Sequence, residues 1–168
     1  YEAKQALSDG ADEIEMVINQ GLLKSKNYVS VLKDITDVKL AIGETPLKVI
    51  IEISELNKNE IIRICEICLD AKVDYIKTSS GFSKGGSTLT TVKIIKKTVR
   101  EHIKIAVFDG IEDYDTAIKY IESGADRVGI SYGIELINKS RPKRNSKIFK
   151  QYIKTFKEEE ALKTESTL

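Results

Sequence analysis

The sequence predicts an α/β protein with a parallel sheet, built as a (β/α)8 barrel of the TIM type, and three observations carry that expectation. Five short runs rich in Val and Ile stand out: "DEIEMVIN" (12–19), "LKVIIEI" (47–53), "DYIKTSS" (74–80), "HIKIAVFD" (102–109) and "DRVGISY" (126–132). Each has the length and residue preference of a strand. Helical periodicity fills the intervals, at about 24–42, 57–71, 88–101 and 112–123, with a further helix at 1–8 ahead of the first run. Strict alternation of this kind calls for parallel strands joined by right-handed crossovers. The third observation is a weak internal repeat. "SDGADEIEMVI", "LDAKVDYIKTS" and "ESGADRVGISY" each carry a helix end, a small residue or turn, an Asp and then a strand. Glycine just past a helix supplies the left-handed cap that turns the chain into the next strand. An open nucleotide-binding sheet usually carries GxGxxG or GxxxxGK[ST] after its first strand. Neither occurs here, which favours the barrel.

Composition narrows the function by exclusion. With 27 basic and 26 acidic residues the formal net charge is +1, so no global field draws the protein to nucleic acid, an anionic membrane or an acidic partner. The sequence has no apolar run of membrane-spanning length and no signal-peptide pattern, so the cytoplasm is the default expectation. The chain begins at Tyr1 rather than Met, which raises the expectation of residues upstream. The two cysteines, Cys65 and Cys68, form a CxxC on a helical pattern, with no second pair and no histidine partner. They read as small residues on a packed face rather than as redox or metal ligands. The sole histidine, His102, cannot supply a zinc site and reads as a surface or turn residue. No cofactor and no metal is expected.

The stretch "DYIKTSSGFSKGGST" (74–88) holds the chemistry. Lys77 lies in a strand that runs directly into a loop of hydroxyls and glycines. Residues alternate in and out along a strand, and barrel chemistry gathers where strands end. If Lys77 points inward, parity sends Tyr75 and Ser79 inward with it. The same choice elsewhere gathers Glu13, Glu15, Lys48, Glu52, Lys104 and Ala106. Buried charges cost several kcal/mol unless paired, so such a group in a barrel interior points to function. A lysine held among apolar groups and other cations loses its proton more readily, and its amine then attacks a carbonyl to form a Schiff base. The glycine and hydroxyl loop offers donors of the kind that hold a phosphate or sugar hydroxyls. A structural alternative applies to Lys48 and Lys104, which at strand starts could reach solvent at the bottom face.

On the segments "GADEIEMVIN", "LKVIIEISEL", "DYIKTSSGFSKGGST" and "GADRVGISYG", in this order over about residues 3–137, the chain resembles the deoxyribose-phosphate aldolases. The resemblance implies a (β/α)8 barrel of which strands four to eight are present. It implies a class I aldolase that reversibly cleaves 2-deoxyribose 5-phosphate to glyceraldehyde 3-phosphate and acetaldehyde, with a small phosphorylated sugar or aldehyde as partner and a homo-oligomer left open. By that resemblance Lys77 is the Schiff-base lysine and Glu15 stands in for a proton-shuttling aspartate. Lys48 matches a lysine usual in its strand, and Lys48 or Lys104 is expected as the remaining nearby cation. Ser80, Gly81, Gly110, Gly129 and Ser131 bind the substrate and its phosphate.

Besides Glu15, the sequence departs from the family pattern in its fourth strand and after it. Ala106 replaces a second lysine, Asp109 and Gly110 replace a Gly-Gly turn, Glu112 replaces a common arginine, and Tyr132 replaces a second serine. These departures leave two alternatives open: a descendant kept for binding or structure, and a Schiff-base aldolase with another substrate. The expected domain limits are a partial barrel over 1–140 and, over 141–168, a basic amphipathic helix with Ile148, Phe149, Tyr152, Ile153 and Phe156 on one face, ending in the disordered tail "KTESTL".

Overall fold

The computed structural model describes residues 1–83, 85–111, 113–130 and 133–134. The chain divides into two units, Tyr1–Tyr132 and Gly133–Leu168. The expected C-terminal helix and tail, with Ser131, Tyr132 and Glu112, lie outside the described residues.

Strands β1 (Ile14–Val17), β2 (Leu47–Ile50), β3 (Tyr75–Lys77), β4 (Lys104–Phe108) and β5 (Arg127–Gly129) form one sheet. Their spatial order is β1-β2-β3-β4-β5, and every pairing is parallel. Helices α1 (Glu2–Ser8), α2 (Gln20–Lys24), α3 (Tyr28–Ile42), α4 (Lys58–Asp70), α5 (Leu89–Val99) and α6 (Tyr114–Glu122) alternate with them. The α4 start is fixed by a capping box, in which Asn57 and Glu60 each bond the other's backbone N–H.

Two faces of the sheet do different work. Met16, Val49, Ile76, Ile105 and Val107 join Val31 and Ile35 of α3, Ile64, Cys65 and Cys68 of α4, and Val92 and Ile95 of α5 in one apolar core. Ile50, Tyr75 and Ala106 are buried but stand apart from that core, on the opposite face. Sequential strand order with the helical core on one face is barrel geometry, since a doubly wound sheet reverses its order and takes helices on both faces. Curvature confirms it. On a flat sheet four spacings would part β1 from β5 by roughly 19 Å. Instead Arg127 Nη1 of β5 lies 2.7 and 2.8 Å from the carboxylate oxygens of Glu13, next to β1. The five strands are part of a (β/α)8 barrel.

The repeat has a physical cause. Gly10 and Gly124 both take positive φ after their helices, and Lys72 takes the same conformation at the corresponding place, with φ of 55°. The Asp that follows caps the neighbouring strand: Asp74 accepts the Leu47 N–H at 2.8 Å, and Asp126 accepts the Ile105 N–H at 2.8 Å. The structure departs from expectation in detail. Apolar run 47–53 leaves the sheet after Ile50, because Glu52 adopts a left-handed conformation and Ile53–Glu55 winds into a 3-10 turn. The helix expected over 24–42 is divided at Ser25–Asn27, where Lys26 has positive φ and Asn27 caps α3.

Candidate active site

Parity along the strands places Glu15, Lys48, Tyr75 and Lys104 in one row across the inner face, through the register Glu15↔Lys48, Lys48↔Tyr75 and Tyr75↔Lys104. The next row holds Val17, Ile50, Lys77, Ala106 and Arg127. Lys77, the last residue of β3, is only 14% exposed at its side chain. Its Nζ donates to Glu15 Oε2 at 2.8 Å, while Lys48 Nζ donates to Glu15 Oε1 at 2.7 Å and to Glu13 Oε2 at 3.2 Å. One carboxylate is thus shared by two lysines, and the chain of alternating charge runs on through Glu13 to Arg127.

This pairing answers the cost of burial. Burial pushes the Glu15 carboxyl up, but hydrogen bonds from Lys48 and Lys77 more than offset it and hold it below the usual carboxylate range. Glu13 is held down in the same way by Arg127 and Lys48. Burial pulls Lys48 down, and its bonds to Glu15 and Glu13 outweigh that and raise it. Glu15 is therefore an ionised carboxylate, held in place by Lys48.

In the same row as Glu15 and Lys48, one below Lys77, the Tyr75 ring packs among the cations. Its ring centroid lies 5.8 Å from Lys48 Nζ, 5.5 Å from Lys104 Nζ and 4.4 Å from the Arg127 guanidinium carbon. Lys104 is exposed at the start of β4 and makes no ion pair among the described residues. It shares the Lys77 face yet sits one row lower. A cleft lined by Glu13, Asp74, Tyr75, His102, Lys104 and Arg127 opens at the end where the strands begin, and Lys77 does not line it.

The loop after Lys77 is held from two sides. Glu52 is 5% exposed and accepts from the Ser80 N–H at 3.2 Å, from the Ser80 hydroxyl, and from the Ser83 hydroxyl at 2.7 Å. Burial pushes the Glu52 carboxyl up, and these bonds, with the Lys77 charge, bring it below the usual range. On the other side Thr78 Oγ1 accepts the Phe108 N–H at 2.9 Å, and the Ser87 hydroxyl donates to the Phe108 carbonyl at 2.9 Å. Ser79 Oγ is buried with no hydrogen-bond partner among the described residues.

The candidate phosphate-binding residues are partly engaged already. The Ser80 hydroxyl is bound to Glu52, and Asp109 Oδ1 accepts the N–H of Gly110 at 2.8 Å. Gly81 and Gly129 both abut the Phe108 ring. A Cβ on Gly81 would lie 2.8 Å from Phe108 Cε1, and one on Gly129 would lie 2.2 Å from Cδ2. Sequence reasoning passed over Phe108 and Arg127. Counting two residues on from Ala106 would have placed Phe108 on the inner face. Arg127 needed the register of β5, which the sequence leaves open.

Cys65 and Cys68 are free and buried on α4, where burial pushes the Cys65 thiol up to about 12 and raises Cys68 as well, as packed inert thiols require. Among the described residues no helix is long and apolar enough to cross a membrane.

Known proteins resemble this chain in sequence and fold. The family described as DeoC/LacD family aldolase matches residues 1–139. Deoxyribose-phosphate aldolase 1 of Mesoplasma florum is 44% identical over 137 residues, which are 82% of this chain and 62% of that protein. The deoxyribose-phosphate aldolase of Clostridium tetani is 44% identical over 142 residues, 84% of this chain and 66% of that protein. Among solved structures, the aldolase QR15 superposes with a TM-score of 0.78 at 40% identity, covering 82% of this chain and 62% of its own. A protein from Coccidioides immitis superposes with a TM-score of 0.80 at 35% identity, covering 84% and 57%. The chain spans a little over three fifths of the length of the first relatives it matches, at 62% and 63%. With its sheet, its inward lysines and this likeness over most of its length, the chain belongs to the DeoC/LacD aldolase family.

Proposed function

We propose that the chain acts as a class I aldolase of the deoxyribose-phosphate type, cleaving 2-deoxyribose 5-phosphate reversibly into glyceraldehyde 3-phosphate and acetaldehyde. The observation that carries this reading is the Lys77 amine at the end of β3, hydrogen-bonded at 2.8 Å to the Glu15 carboxylate. A base within hydrogen-bond reach of an amine nucleophile is the arrangement Schiff-base chemistry needs. The names of the relatives favour an aldolase over a descendant kept only for binding or structure.

In the proposed reaction the neutral Lys77 amine adds to the substrate carbonyl. One proton is taken up and one water leaves, so that nitrogen and carbon are joined as a cationic iminium. Glu15 then accepts the proton of the C3 hydroxyl, two carbons from the iminium carbon, that oxygen becomes a carbonyl, and the pair of the C2–C3 bond moves into an enamine that neutralises the nitrogen. Glyceraldehyde 3-phosphate departs. Reprotonation of the enamine and hydrolysis release acetaldehyde and restore Lys77. Lys48 fixes one oxygen of Glu15 so that the other faces the reacting nitrogen. Lys104 adds positive potential from the row below.

The phosphate is assigned to the strand ends, among Ser80, Gly81, Gly110, Gly129 and Ser131. To reach the Gly110 N–H it has to displace the Asp109 carboxylate. The two buried thiols and the balanced charge fit the cytoplasm as its compartment. Incubation with 2-deoxyribose 5-phosphate and measurement of acetaldehyde release tests the reading. Release by the wild-type chain that K77M abolishes is expected; equal release by K77M rejects Lys77 as the nucleophile.

A further inference from the structure

We propose that Phe108 is a catalytic residue of this site, whose ring face stabilises the iminium cation formed on Lys77. The inference rests on the Schiff-base reading above and adds a group to it. Lys77 Nζ lies over the Phe108 ring, 4.5 Å from its centroid. That is within the distance at which a cation is held by the negative face of an aromatic quadrupole.

The ring is held in that place through its backbone and by two glycines. Phe108 ends β4, two residues beyond Ala106, the register partner of Lys77. Its N–H is taken by Thr78 Oγ1, and its carbonyl accepts from the Thr78 hydroxyl at 3.2 Å and from the Ser87 hydroxyl at 2.9 Å. Its ring is seated between Gly81 and Gly129, where a Cβ on either backbone would collide with it. An aromatic side chain whose backbone is clamped by two hydroxyls and whose ring is seated by two glycines is a positioned group.

A small side chain at 106 and a large one at 108 together decide what the nitrogen sees. Ala106 brings no charge beside Lys77, and the ring above it brings a π face. The charged groups around the nitrogen are then Glu15 from β1, whose other oxygen is held by Lys48 of β2, Glu52 just past the end of β2, Arg127 farther along the same row, and Lys104 one row lower.

A π face distinguishes the two cations that Lys77 becomes. The ammonium has three N–H donors and is best served by water and carboxylates. The iminium of the Schiff base is planar, has one N–H left for Glu15, and spreads its charge onto carbon. A poorly hydrated cation of this kind gains most from an aromatic face that excludes water. Phe108 thereby favours loss of water from the adduct and the iminium that follows. When the carbon–carbon bond breaks and the enamine forms, the positive charge over the ring is gone and the ring releases its hold.

Stepwise fluorination of the ring tests this, because it weakens the negative face while changing its volume little. Position 108 is replaced with 4-fluoro-, 3,5-difluoro- and 3,4,5-trifluorophenylalanine, and F108L serves as an apolar side chain without a π face. Each protein is incubated with subsaturating acetaldehyde and borohydride, and the fraction of reduced adduct on Lys77 is read by mass spectrometry. The expected result is a fall that follows the number of fluorines, reaching about fivefold for the trifluoro ring, with F108L similarly impaired. A trapped fraction that stays constant through the fluorinated series overturns the role of Phe108 while leaving the Schiff base standing. Absence of any adduct in the wild-type chain overturns the Schiff-base reading, and this inference with it.

Discussion

At the scale of single residues, the proposed reaction turns on how Lys77 and Glu15 divide one proton problem. A lysine nucleophile has to be neutral when it attacks, whereas the carboxylate that takes the substrate proton has to be charged. Glu15 meets its half through two lysines, each holding a different oxygen. Because its carboxyl lies below the ordinary value of 4.5, the base is present throughout the neutral range and is lost only as pH falls beneath that value. E15Q removes the proton acceptor while keeping the shape, and a loss of roughly a hundredfold or more in acetaldehyde release is expected. Release unchanged in E15Q would place the proton transfer elsewhere. The candidacy of both residues was legible in the sequence, since alternation along each strand, with Lys77 taken as inward and the same choice made elsewhere, sends positions 15 and 77 to one face. Their hydrogen bond was not, because it joins two strands that are not neighbours: β2 lies between them.

At the scale of elements, the ends of β3, β4 and β5 are shaped around one ring. Gly129 in β5 has no room for a side chain while Phe108 is present, so the two positions are energetically coupled. G129A is expected to destabilise the fold by about 1–3 kcal/mol through overpacking. In a background carrying F108A the same change should cost markedly less, and urea denaturation of the four proteins measures the difference. Equal costs in the two backgrounds would show that the ring does not occupy that space. The element pattern itself was largely readable, because strands and helices differ in period and the Asp of each repeat marks a strand start. Boundaries were less so. Residues 51–53 are as apolar as a strand, and only the left-handed backbone at Glu52, with a buried carboxylate gathering Ser80 and Ser83, takes the chain out of the sheet there.

At the scale of the whole molecule, a curved sheet lets residues that begin opposite edges meet, as Glu13 and Arg127 do. Barrel class followed from repetition and missing nucleotide motifs, whereas this ion pair, which displays the curvature, depends on distances no sequence pattern encodes. It also ties stability to pH. Glu13, Glu15 and Glu52 all have carboxyls depressed below 4.5, so their contribution is complete above that value and is lost as pH falls through the lower values of the folded state. The urea midpoint should therefore decline below about pH 4.5, and E13Q should decline less steeply. Matching acid slopes for E13Q and wild type would contradict that assignment. The central claim concerns Lys77, and borohydride trapping with acetaldehyde followed by peptide mass spectrometry tests it most directly. The account predicts one reduced two-carbon adduct, located on Lys77 and absent from K77M. An adduct spread over surface lysines, or none on Lys77, would contradict it.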